Sequence, residues 1–442
     1  MANEIEMIRD GGVVGAGGAG FPAHVKLDAQ IEHLIVNAAE CEPLIDVDKI
    51  LLEREFKLVY EGLKVSARLT GAKKVTIALK AKYKRAIEIL EGFKKGGLDF
   101  DIFKLGNFYP AGDEQTLVYE ITKKVVPESG IPLMVGCVVI NVETLLNVAR
   151  ATQGKKVTQK YVTISGEVAS PVTVRVPVGT PVQVLLDFAG GVTADQYAVF
   201  DGGPMMGKVI DHNGYAVKKT TKNIMVLPED NIVTVQRKRA IKGQIKRSQA
   251  ICLSCRMCTD LCPRYLLGHD LFPDEMMKRL YKGDMDQEDM KKFDYAYLCC
   301  DCGLCELYNC VVDLSARAIF NYLKEELPKR GIENPYKRQE ITANEFREYR
   351  KVPVDRLKQR LEVHKYMETK FAEFDGRVDR IKLYLVQHVG APSVPVVKEG
   401  DMVSEGDLVA DIAPGGLGAR IHSSIDGKVL AVEEDNLQIG KA

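Results

Sequence analysis

The sequence has neither an excess of charge of one sign nor a long hydrophobic run. Lys and Arg together number 61, as do Asp and Glu, so the formal net charge is zero. Because no whole-protein field would attract nucleic acid or an anionic membrane, we expect neither as a partner. The longest apolar run, residues 131–140, is about half the length of a spanning helix. It contains Pro132 and Gly136, so we expect a buried strand there and no membrane span.

An export signal is also lacking at the start of the chain. The first residues, MANEIEMIRDGG, show neither a basic start followed by an apolar stretch nor a small-residue cleavage site. We therefore expect a soluble, cytoplasmic protein.

The cysteines are unevenly distributed. Nine of the 11 lie between Cys252 and Cys310, and the other two are Cys41 and Cys137. A large cytoplasmic chain is not expected to carry a disulfide framework, because its thiols stay reduced. The clustering instead indicates a metal site, and we interpret Cys41 and Cys137 as small buried core residues.

The length of 442 residues is too great for one ordinary core and predicts several domains. Residues 1–155 alternate strand-like and helical segments, which is typical of an α/β layer fold with a mostly parallel sheet. The predicted strands are residues 33–39, 74–80 and 132–141, and the predicted helices are residues 46–71 and 83–95.

The rest of the chain changes texture several times. Residues 156–230 contain short β-like runs punctuated by Pro and Gly, which predict a small β domain. Residues 235–335 hold the cysteines and begin with a basic stretch, 236–247, that we interpret as a solvated helix face. Residues 336–380 are charged and predicted to be a helical linker. Residues 381–442 return to β-like runs in two glycine-punctuated halves, which indicate a pseudo-repeated small β domain.

The cysteines form two runs with the spacing of iron–sulfur ligands. The first is C-x2-C-x2-C-x3-C-P, starting at Cys252, and the second is C-x2-C-x2-C-x4-C, starting at Cys299. In ferredoxins with two such runs, the fourth cysteine of each run ligates the other 4Fe-4S cluster. We therefore assign the ligands of the first cluster as Cys252, Cys255, Cys258 and Cys310. The second cluster receives Cys299, Cys302, Cys305 and Cys262, and Cys300 is left over.

Zinc is the alternative occupant of paired C-x-x-C motifs. Two pairs already supply the four ligands of a zinc ion, so the third cysteine of each run would have no purpose. The spacing therefore favours two 4Fe-4S clusters, which carry electrons one at a time.

A glycine-rich loop, GAGGAGFP, lies at residues 15–22. Glycines let backbone N–H groups approach a phosphate or a flat ring closely. Such loops also form plain tight turns, and no clear strand precedes this one, so it is not a Rossmann fingerprint. Taken alone, the loop leaves both interpretations open.

Four segments place this loop in a wider pattern. GAGGAGFPAHVK (15–26), NAAECEP (37–43), YPAGDEQTL (109–117) and NVETLLNV (141–148) resemble, in order, the flavin-binding segments of two related groups. These are the NADH-oxidising subunit of respiratory complex I and the RnfC family. The resemblance implies that the phosphate side of FMN is held by Gly15, Gly17, Gly18 and Lys26. It also implies that the rest of the FMN site consists of Asn37, Glu40, Tyr109, Gly112, Asp113, Glu114, Asn141 and Thr144.

The whole chain is similar to one branch of that superfamily, the cobalamin reductases of propanediol utilization. The likeness rests on VVGAGGAGFPAHVKL, VNAAECEP, YPAGDE, GGPMMG, CTDLCPRYLLGHDL and LGARIHSSIDGKV. It implies a multidomain α/β protein: a complex-I-type FMN-binding α/β domain, an SLBB-type β module, an all-α two-cluster ferredoxin-like domain and a C-terminal lipoyl-like barrel-sandwich domain. The turn VADIAPGGLGA has no lysine, and Lys428 belongs to the second half of the last domain, so we expect that domain not to be lipoylated.

The resemblance also implies a function. Electrons would pass from NADH through FMN and two 4Fe-4S clusters to cob(II)alamin, which a cob(I)alamin adenosyltransferase partner would use. The location implied is a bacterial microcompartment, with a shell protein as a further partner.

Two alternatives stay open at this point. One is an RnfC-like module that exchanges electrons between NADH and ferredoxin. The other is a non-enzymatic electron relay, because Ala16 and Ala39 replace an arginine and an acid of complex I.

Overall fold

The structure is a computed structural model that describes residues 2–94, 99–280 and 290–441. Lys95 of the predicted helix at residues 83–95, and residues 281–289 of the cysteine region, lie outside the described residues. In the described parts, no helix is both long and apolar enough to cross a membrane.

The N-terminal region folds around a parallel sheet. Its strands are β1 (His33–Ala38), β2 (Lys74–Lys80), β3 (Asp101–Leu105) and β5 (Cys137–Asn141), while β4 (Phe108–Tyr109) lies outside this sheet. The strands lie in the order β3-β2-β1-β5, and every neighbouring pair is parallel. The helices of this region are α1 (Ala2–Asp10), α2 (Ala23–Leu27), α3 (Val47–Arg54), α4 (Phe56–Thr70), α5 (Lys84–Phe93), α6 (Glu114–Thr122) and α7 (Val142–Thr152). The predicted parallel α/β layer fold is confirmed.

The helix predicted at residues 46–71 is two helices, α3 and α4. The backbone at Glu55 leaves helical angles, with φ −116° and ψ 14°. Helix α4 ends at Gly71 in the left-handed conformation, φ 59°, as the sequence predicts for a helix C-terminus.

The strand predicted at residues 132–141 is shorter than expected. Pro132 begins a short 3-10 helix, Pro132–Val135, and Gly136 follows it with φ 77°. A proline at a helix start and a glycine just after its end are typical of a helical turn. Strand β5 therefore begins only at Cys137.

Helices α4 and α7 pack closely. A Cβ atom at Gly62 would fall on the carbonyl oxygen of Leu145, so only glycine permits this separation. The N-terminus of α7 is capped by Asn141, whose Oδ1 accepts a bond from the backbone N of Glu143 at 2.9 Å. This packing fixes the position of a helix start that lies beside the glycine-rich loop.

The next region is a mixed sheet. Its elements are β6 (Gln159–Gly166), β7 (Val172–Pro177), α8 (Val182–Phe188), β8 (Tyr197–Asp201), β9 (Lys208–Ile210) and β10 (Asn223–Pro228). The strand order is β7-β6-β10-β8-β9, with β10 parallel to β6 and antiparallel to β8. The β-rich domain predicted from the Pro and Gly punctuation is confirmed.

The cysteine region is built from short helices. These are α9 (Ile232–Lys238), α10 (Ile241–Ile251), α11 (Met257–Asp260), α12 (Pro263–Leu266), α13 (Pro273–Leu280), the 3-10 helix Asp294–Leu298, α14 (Leu304–Leu307) and α15 (Ala316–Lys329). No strand occurs between residues 235 and 335 wherever the structure describes them. The all-α prediction agrees with this arrangement.

The segment predicted as a helical linker, residues 336–380, is only partly helical. It contains a 3-10 helix, Glu345–Arg350, one α-helix, α16 (Val354–Arg360), and two short strands, β11 (Val352–Pro353) and β12 (Lys370–Phe371). Strand β11 pairs with β4, and β12 pairs with the edge of the mixed sheet at β7. The segment therefore adds to neighbouring sheets, because its backbone completes their exposed edges.

The C-terminal region forms two small sheets. The strands are β13 (Arg380–Tyr384), β14 (Val394–Pro395), β15 (Met402–Val403), β16 (Leu408–Asp411), β17 (Ile421–His422), β18 (Gly427–Val432) and β19 (Asn436–Gly440). They lie in the orders β13-β19-β18-β15 and β14-β16-β17. Lys428 stands in β18 opposite Met402. The domain boundaries at residues 155, 230, 335 and 380 stay a prediction.

Candidate flavin and iron–sulfur site

The structure brings together the two predicted sets of cysteines. The first set surrounds a cavity of about 440 Å³, whose wall includes Cys252, Cys255, Cys258 and Cys310. The second set surrounds a cavity of about 320 Å³, whose wall includes Cys262, Cys299, Cys302 and Cys305. Cys305 lines both cavities, so the two sites are adjacent. Each set contains the fourth cysteine of the other run, as the ferredoxin pattern predicts.

The cysteines surround a space and do not converge on a point. Among the described residues, no group of three or more His, Cys, Asp or Glu side chains is arranged to hold a single metal ion. A 4Fe-4S cube has bulk, so its four thiolates stand around it, whereas zinc ligands meet at about 2.3 Å from one ion. The cysteine sets therefore fit clusters.

The two cysteine runs have the same backbone conformation. Ser254 and Arg256 have φ of 54° and 65°, and the equivalent Asp301 and Gly303 have φ of 59° and 80°. Each run then enters a four-residue helix, α11 or α14. By this equivalence Cys300, which follows Cys299, corresponds to Leu253, which follows Cys252. Cys300 therefore stands at a position that is not a ligand in the first run.

Backbone N–H groups point at two of the cysteine sulfurs. The N of Leu314 donates to Cys310 Sγ at 3.2 Å, and the N of Asp301 donates to Cys299 Sγ at 3.4 Å. Such bonds stabilise thiolates and contribute to a cluster's reduction potential.

The glycine-rich loop lies against the N-terminus of α7. The N of Ala16 donates to Thr144 Oγ1 at 3.0 Å. A Cβ atom at Gly17 would come within 2.9 Å of the Asn141 side chain, whereas one at Gly18 would meet nothing within 4 Å. Gly17 is thus required by the close approach, and the loop next to it opens beside a helix start, where backbone N–H groups favour a phosphate.

The ends of two further segments meet beside this loop. Asn37 Nδ2 donates to the carbonyl oxygen of Gly112 at 2.8 Å. A Cβ atom at Gly112 would lie 2.5 Å from the carbonyl oxygen of Ala39. Cys41 Sγ accepts a bond from the N of Gly112 at 3.4 Å, and burial raises the pKa of this thiol to about 12. Cys41 is thus a protonated core residue, in line with its interpretation from the sequence.

Glu40 belongs to a buried charge network. Lys222 Nζ, from β10, donates to Glu40 Oε2 at 2.9 Å and to Asp48 Oδ2 at 2.6 Å. Burial alone would lower the pKa of Lys222, but the charges of Asp48 and Glu40 raise it above its usual value. Asn141 Nδ2 donates to the same Asp48 Oδ2 at 2.9 Å. The network joins the flavin-like segments to the mixed sheet.

The site has features that fit a bound flavin nucleotide. Asp48 Oδ1 is buried and has no hydrogen-bond partner among the described atoms, so it can accept a bond from a ligand. The tight glycine positions and the start of α7 lie in the same place. At the rim, Lys26 Nζ pairs with Glu114 Oε1 at 2.8 Å.

Tyr109 and Asp113 connect the flavin segments to the cysteine region. The Tyr109 hydroxyl, 1% exposed, donates to the carbonyl oxygen of Cys302 at 2.7 Å. Both carboxylate oxygens of Asp113 accept bonds from Arg264, at 2.7 and 2.9 Å. Burial opposes ionisation of Asp113, but Arg264 outweighs it and holds the pKa of this carboxyl below its usual range. Of the residues predicted for FMN, these two make their structural contacts toward a cluster.

Sequence reasoning missed the partners of these residues. Lys222, Asp48 and Arg264 have no motif of their own, although Arg264 follows the Cys262-Pro263 pair directly. Glu42 was also missed: its oxygens accept bonds from the backbone N of Met205 at 3.1 Å and of Met206 at 2.7 Å. The GGPMMG segment carried a signal for it, because glycine-rich loops expose backbone N–H groups.

Sequence models of four protein families match the chain in order. They are the Nuo51 FMN-binding domain at residues 8–150, the SLBB domain at residues 161–209, the 4Fe-4S dicluster domain at residues 251–315 and the RnfC barrel sandwich hybrid domain at residues 368–442. The predicted fold class is confirmed. The fold and the site together define a flavin and iron–sulfur electron-transfer reductase.

Curated relatives narrow this class. "Cobalamin reductase PduS" of Salmonella typhimurium strain LT2 is 40% identical over 442 residues, which cover 99% of this chain and 96% of the relative. The protein of the same name from Citrobacter freundii is 38% identical over 436 residues, covering 98% and 95%. The chain therefore belongs to the PduS family of cobalamin reductases.

A solved structure supports the fold. The crystal structure of an NAD+-reducing [NiFe]-hydrogenase in the H2-reduced state matches with a TM-score of 0.50 and 22% identity. The match covers 76% of this chain and 64% of that chain. At this identity the likeness shows a shared fold alone.

Proposed function

We propose that this chain is an NADH-dependent cob(II)alamin reductase that uses FMN and two 4Fe-4S clusters. The contact between Tyr109 and Cys302 carries the proposal, because it joins a flavin-type segment directly to a cysteine of the second set. The acceptor is supported by relatives that are named cobalamin reductases over nearly the whole chain.

The described residues suit the parts that this proposal gives them. FMN can accept a hydride and release its two electrons singly, and each cluster carries one electron. In the proposal Gly15, Gly17, Gly18 and Lys26 hold the phosphate side. Asn37, Glu40, Tyr109, Gly112, Asp113, Glu114, Asn141 and Thr144 shape the rest of the site, with Asp113 acting through Arg264 to hold the flavin segments against the cluster region.

The burial of the two cysteine sets suggests the direction of electron flow. Cys302 lies beneath buried Tyr109, whereas Cys255 in the first set is exposed. We therefore propose that electrons reach the cluster of Cys262, Cys299, Cys302 and Cys305 first. They leave through the cluster of Cys252, Cys255, Cys258 and Cys310.

The partners and the location are part of the same proposal. Cob(I)alamin is the product, so the consuming partner is a cob(I)alamin adenosyltransferase. We propose that the protein acts inside a bacterial microcompartment, where a shell protein is a further contact. The sequence likeness to propanediol-utilization cobalamin reductases supports both.

Anaerobic purification followed by NADH titration tests the proposal. We expect flavin, iron and sulfide in the isolated protein, bleaching of the flavin by NADH, and formation of cob(I)alamin from cob(II)alamin. A preparation with neither sulfide nor flavin would refute it. Flavin that NADH does not bleach would favour the relay, and reduction of ferredoxin without reduction of cob(II)alamin would favour the RnfC-like module.

A further inference from the structure

The two cysteine loops have the same conformation but different surroundings. In the second loop, a Cβ atom at Gly303 would lie 2.6 Å from the carbonyl oxygen of Met205. Tyr109 donates to Cys302 in the same loop. The outer face of the second loop is therefore covered by the flavin-type region and the mixed sheet.

The equivalent face of the first loop is open. Arg256 stands at the position of Gly303, and its side chain is 48% exposed. Leu253 is 64% exposed and Val311 is 66% exposed, and both line the cavity of the first cysteine set. With the exposed Ile251 and Met257 they form an apolar surface, which we call the outer patch (Ile251, Leu253, Met257 and Val311).

Basic side chains border the outer patch. Helix α10, which leads into Cys252, exposes Lys242, Lys246 and Arg247 and contains no acidic residue. Arg247 Nη2 donates to the carbonyl oxygen of Val312 at 3.4 Å, which places it beside the patch.

The acidic residues next to the loops are balanced by arginines. Asp260 pairs with Arg256 and Arg350, and Asp313 pairs with Arg360. Where the structure describes it, the border of the outer patch therefore carries a net positive charge.

We propose that the outer patch is the docking surface for an electron-accepting protein whose own contact face is apolar at its centre and acidic at its border. The inference rests on the proposed function, because electrons must leave through the first cluster. A docked protein would cover the first loop as the mixed sheet covers the second, and it would bring the acceptor close to the exposed Cys255. Apolar centres with complementary charged borders are typical of protein interfaces.

A protein suits this surface better than a free corrinoid. Binding sites for small molecules are concave and enclose most of the ligand. Leu253 and Val311 instead project from the mouth of a cavity whose walls are the cluster cysteines.

Direct binding tests the docking surface without requiring turnover. The probe is a cob(I)alamin adenosyltransferase loaded with cob(II)alamin and ATP, titrated against the anaerobic holoprotein at two salt concentrations. Leu253→Glu and Val311→Glu are expected to weaken binding about tenfold or more, as loss of a central apolar contact does. Lys246→Glu, which lies away from the cluster ligands, is expected to weaken binding several-fold and to reduce its salt dependence.

Matched controls carry the same changes elsewhere. Val396→Glu alters an exposed apolar residue of the C-terminal region, and Lys84→Glu alters an exposed lysine at the start of α5. Both should bind within about twofold of wild type, as is usual for changes outside an interface. Iron, sulfide and NADH bleaching of the flavin should be unchanged in every variant.

Three results would overturn the docking surface: no binding by the wild type, unchanged binding by Leu253→Glu, Val311→Glu and Lys246→Glu together, or equal loss in the controls. Reduction of free cob(II)alamin that falls in step with binding would point to direct corrinoid contact and would also overturn it. Binding that follows the expected pattern while NADH fails to bleach the flavin would uphold the surface and refute the proposed function.

Discussion

At the scale of single residues, the position of a side chain in a repeated loop decides its role. Cys300 and Leu253 occupy equivalent positions in two loops of the same conformation, and neither belongs to the ligand set that the fold brings together. Cys302 and Cys255 are the ligands that follow them. A cysteine count alone would not separate these roles.

Replacement of Cys300 should leave both clusters in place. Cys300→Ala is expected to keep the full iron and sulfide content, because its position is occupied by leucine in the first run. Cys302→Ala should lose about half of both, since each cluster needs its thiolate ligands. Iron and sulfide analysis with spectra of the reduced protein measures this. A loss of a cluster in Cys300→Ala would show that Cys300 is a ligand.

Glu42 gives the stability of the protein a pH dependence. Burial raises the pKa of this carboxyl from 4.5 to about 7. Between these values the folded protein holds a proton that the unfolded chain has released, so its stability falls as pH rises through this window. We expect the Tm of wild type, relative to Glu42→Gln, to decrease from pH 5 to pH 7.5. Parallel Tm curves of the two proteins would contradict the prediction.

At the scale of elements, one helix contact sets the geometry of the flavin-type site. Gly62 lets α4 approach α7, and the start of α7 carries Asn141 and Thr144. The glycine-rich loop bonds to that start through Ala16. A change inside the α4–α7 contact is therefore transmitted to the loop.

Gly62→Ala should lower both stability and flavin content. The new Cβ would overlap the carbonyl oxygen of Leu145, and overpacking of this kind costs about 1–3 kcal/mol. Gly92→Ala in α5 is the matched control, because a Cβ there meets nothing within 4 Å. The control should be neutral or more stable by up to about 1 kcal/mol, from helix propensity. Tm and bound FMN measure both, and equal values for the two variants would refute the role of the contact.

At the scale of the whole molecule, separate regions cover one cluster and leave the other open. The second cysteine loop lies beneath Tyr109 and Met205, which come from different regions of the chain. Segment 336–380 reinforces this arrangement, since β11 and β12 extend sheets in both of those regions. The assembly therefore provides one protected electron path inward and one exposed end.

Gly303→Ala should slow electron transfer from flavin to the clusters. The added Cβ would press on the Met205 carbonyl oxygen at 2.6 Å and separate the loop from its cover. Gly331→Ala is the control, because it has a similar φ of 69° but an open environment. Stopped-flow spectra should show unchanged flavin reduction by NADH and slower cluster reduction in Gly303→Ala only. Slowing in both variants would indicate backbone strain as the cause.

The amino-acid sequence by itself determined the cluster ligands, the parallel α/β region and the order of the domains. These depend on spacing between neighbouring residues and on local periodicity, which are written along the chain. Its errors were local competitions, such as Pro132 and Gly136 shortening β5, and the charged segment 336–380, whose strands pair only with distant partners.

Only the tertiary structure decided how the sites are joined. The bonds from Lys222 to Asp48, from Arg264 to Asp113 and from Tyr109 to Cys302 link residues 174, 151 and 193 positions apart. No spacing rule reaches such distances, because these pairs form when whole regions dock. The exposure of the outer patch has the same origin: two loops with one local conformation differ only in what the rest of the molecule places over them.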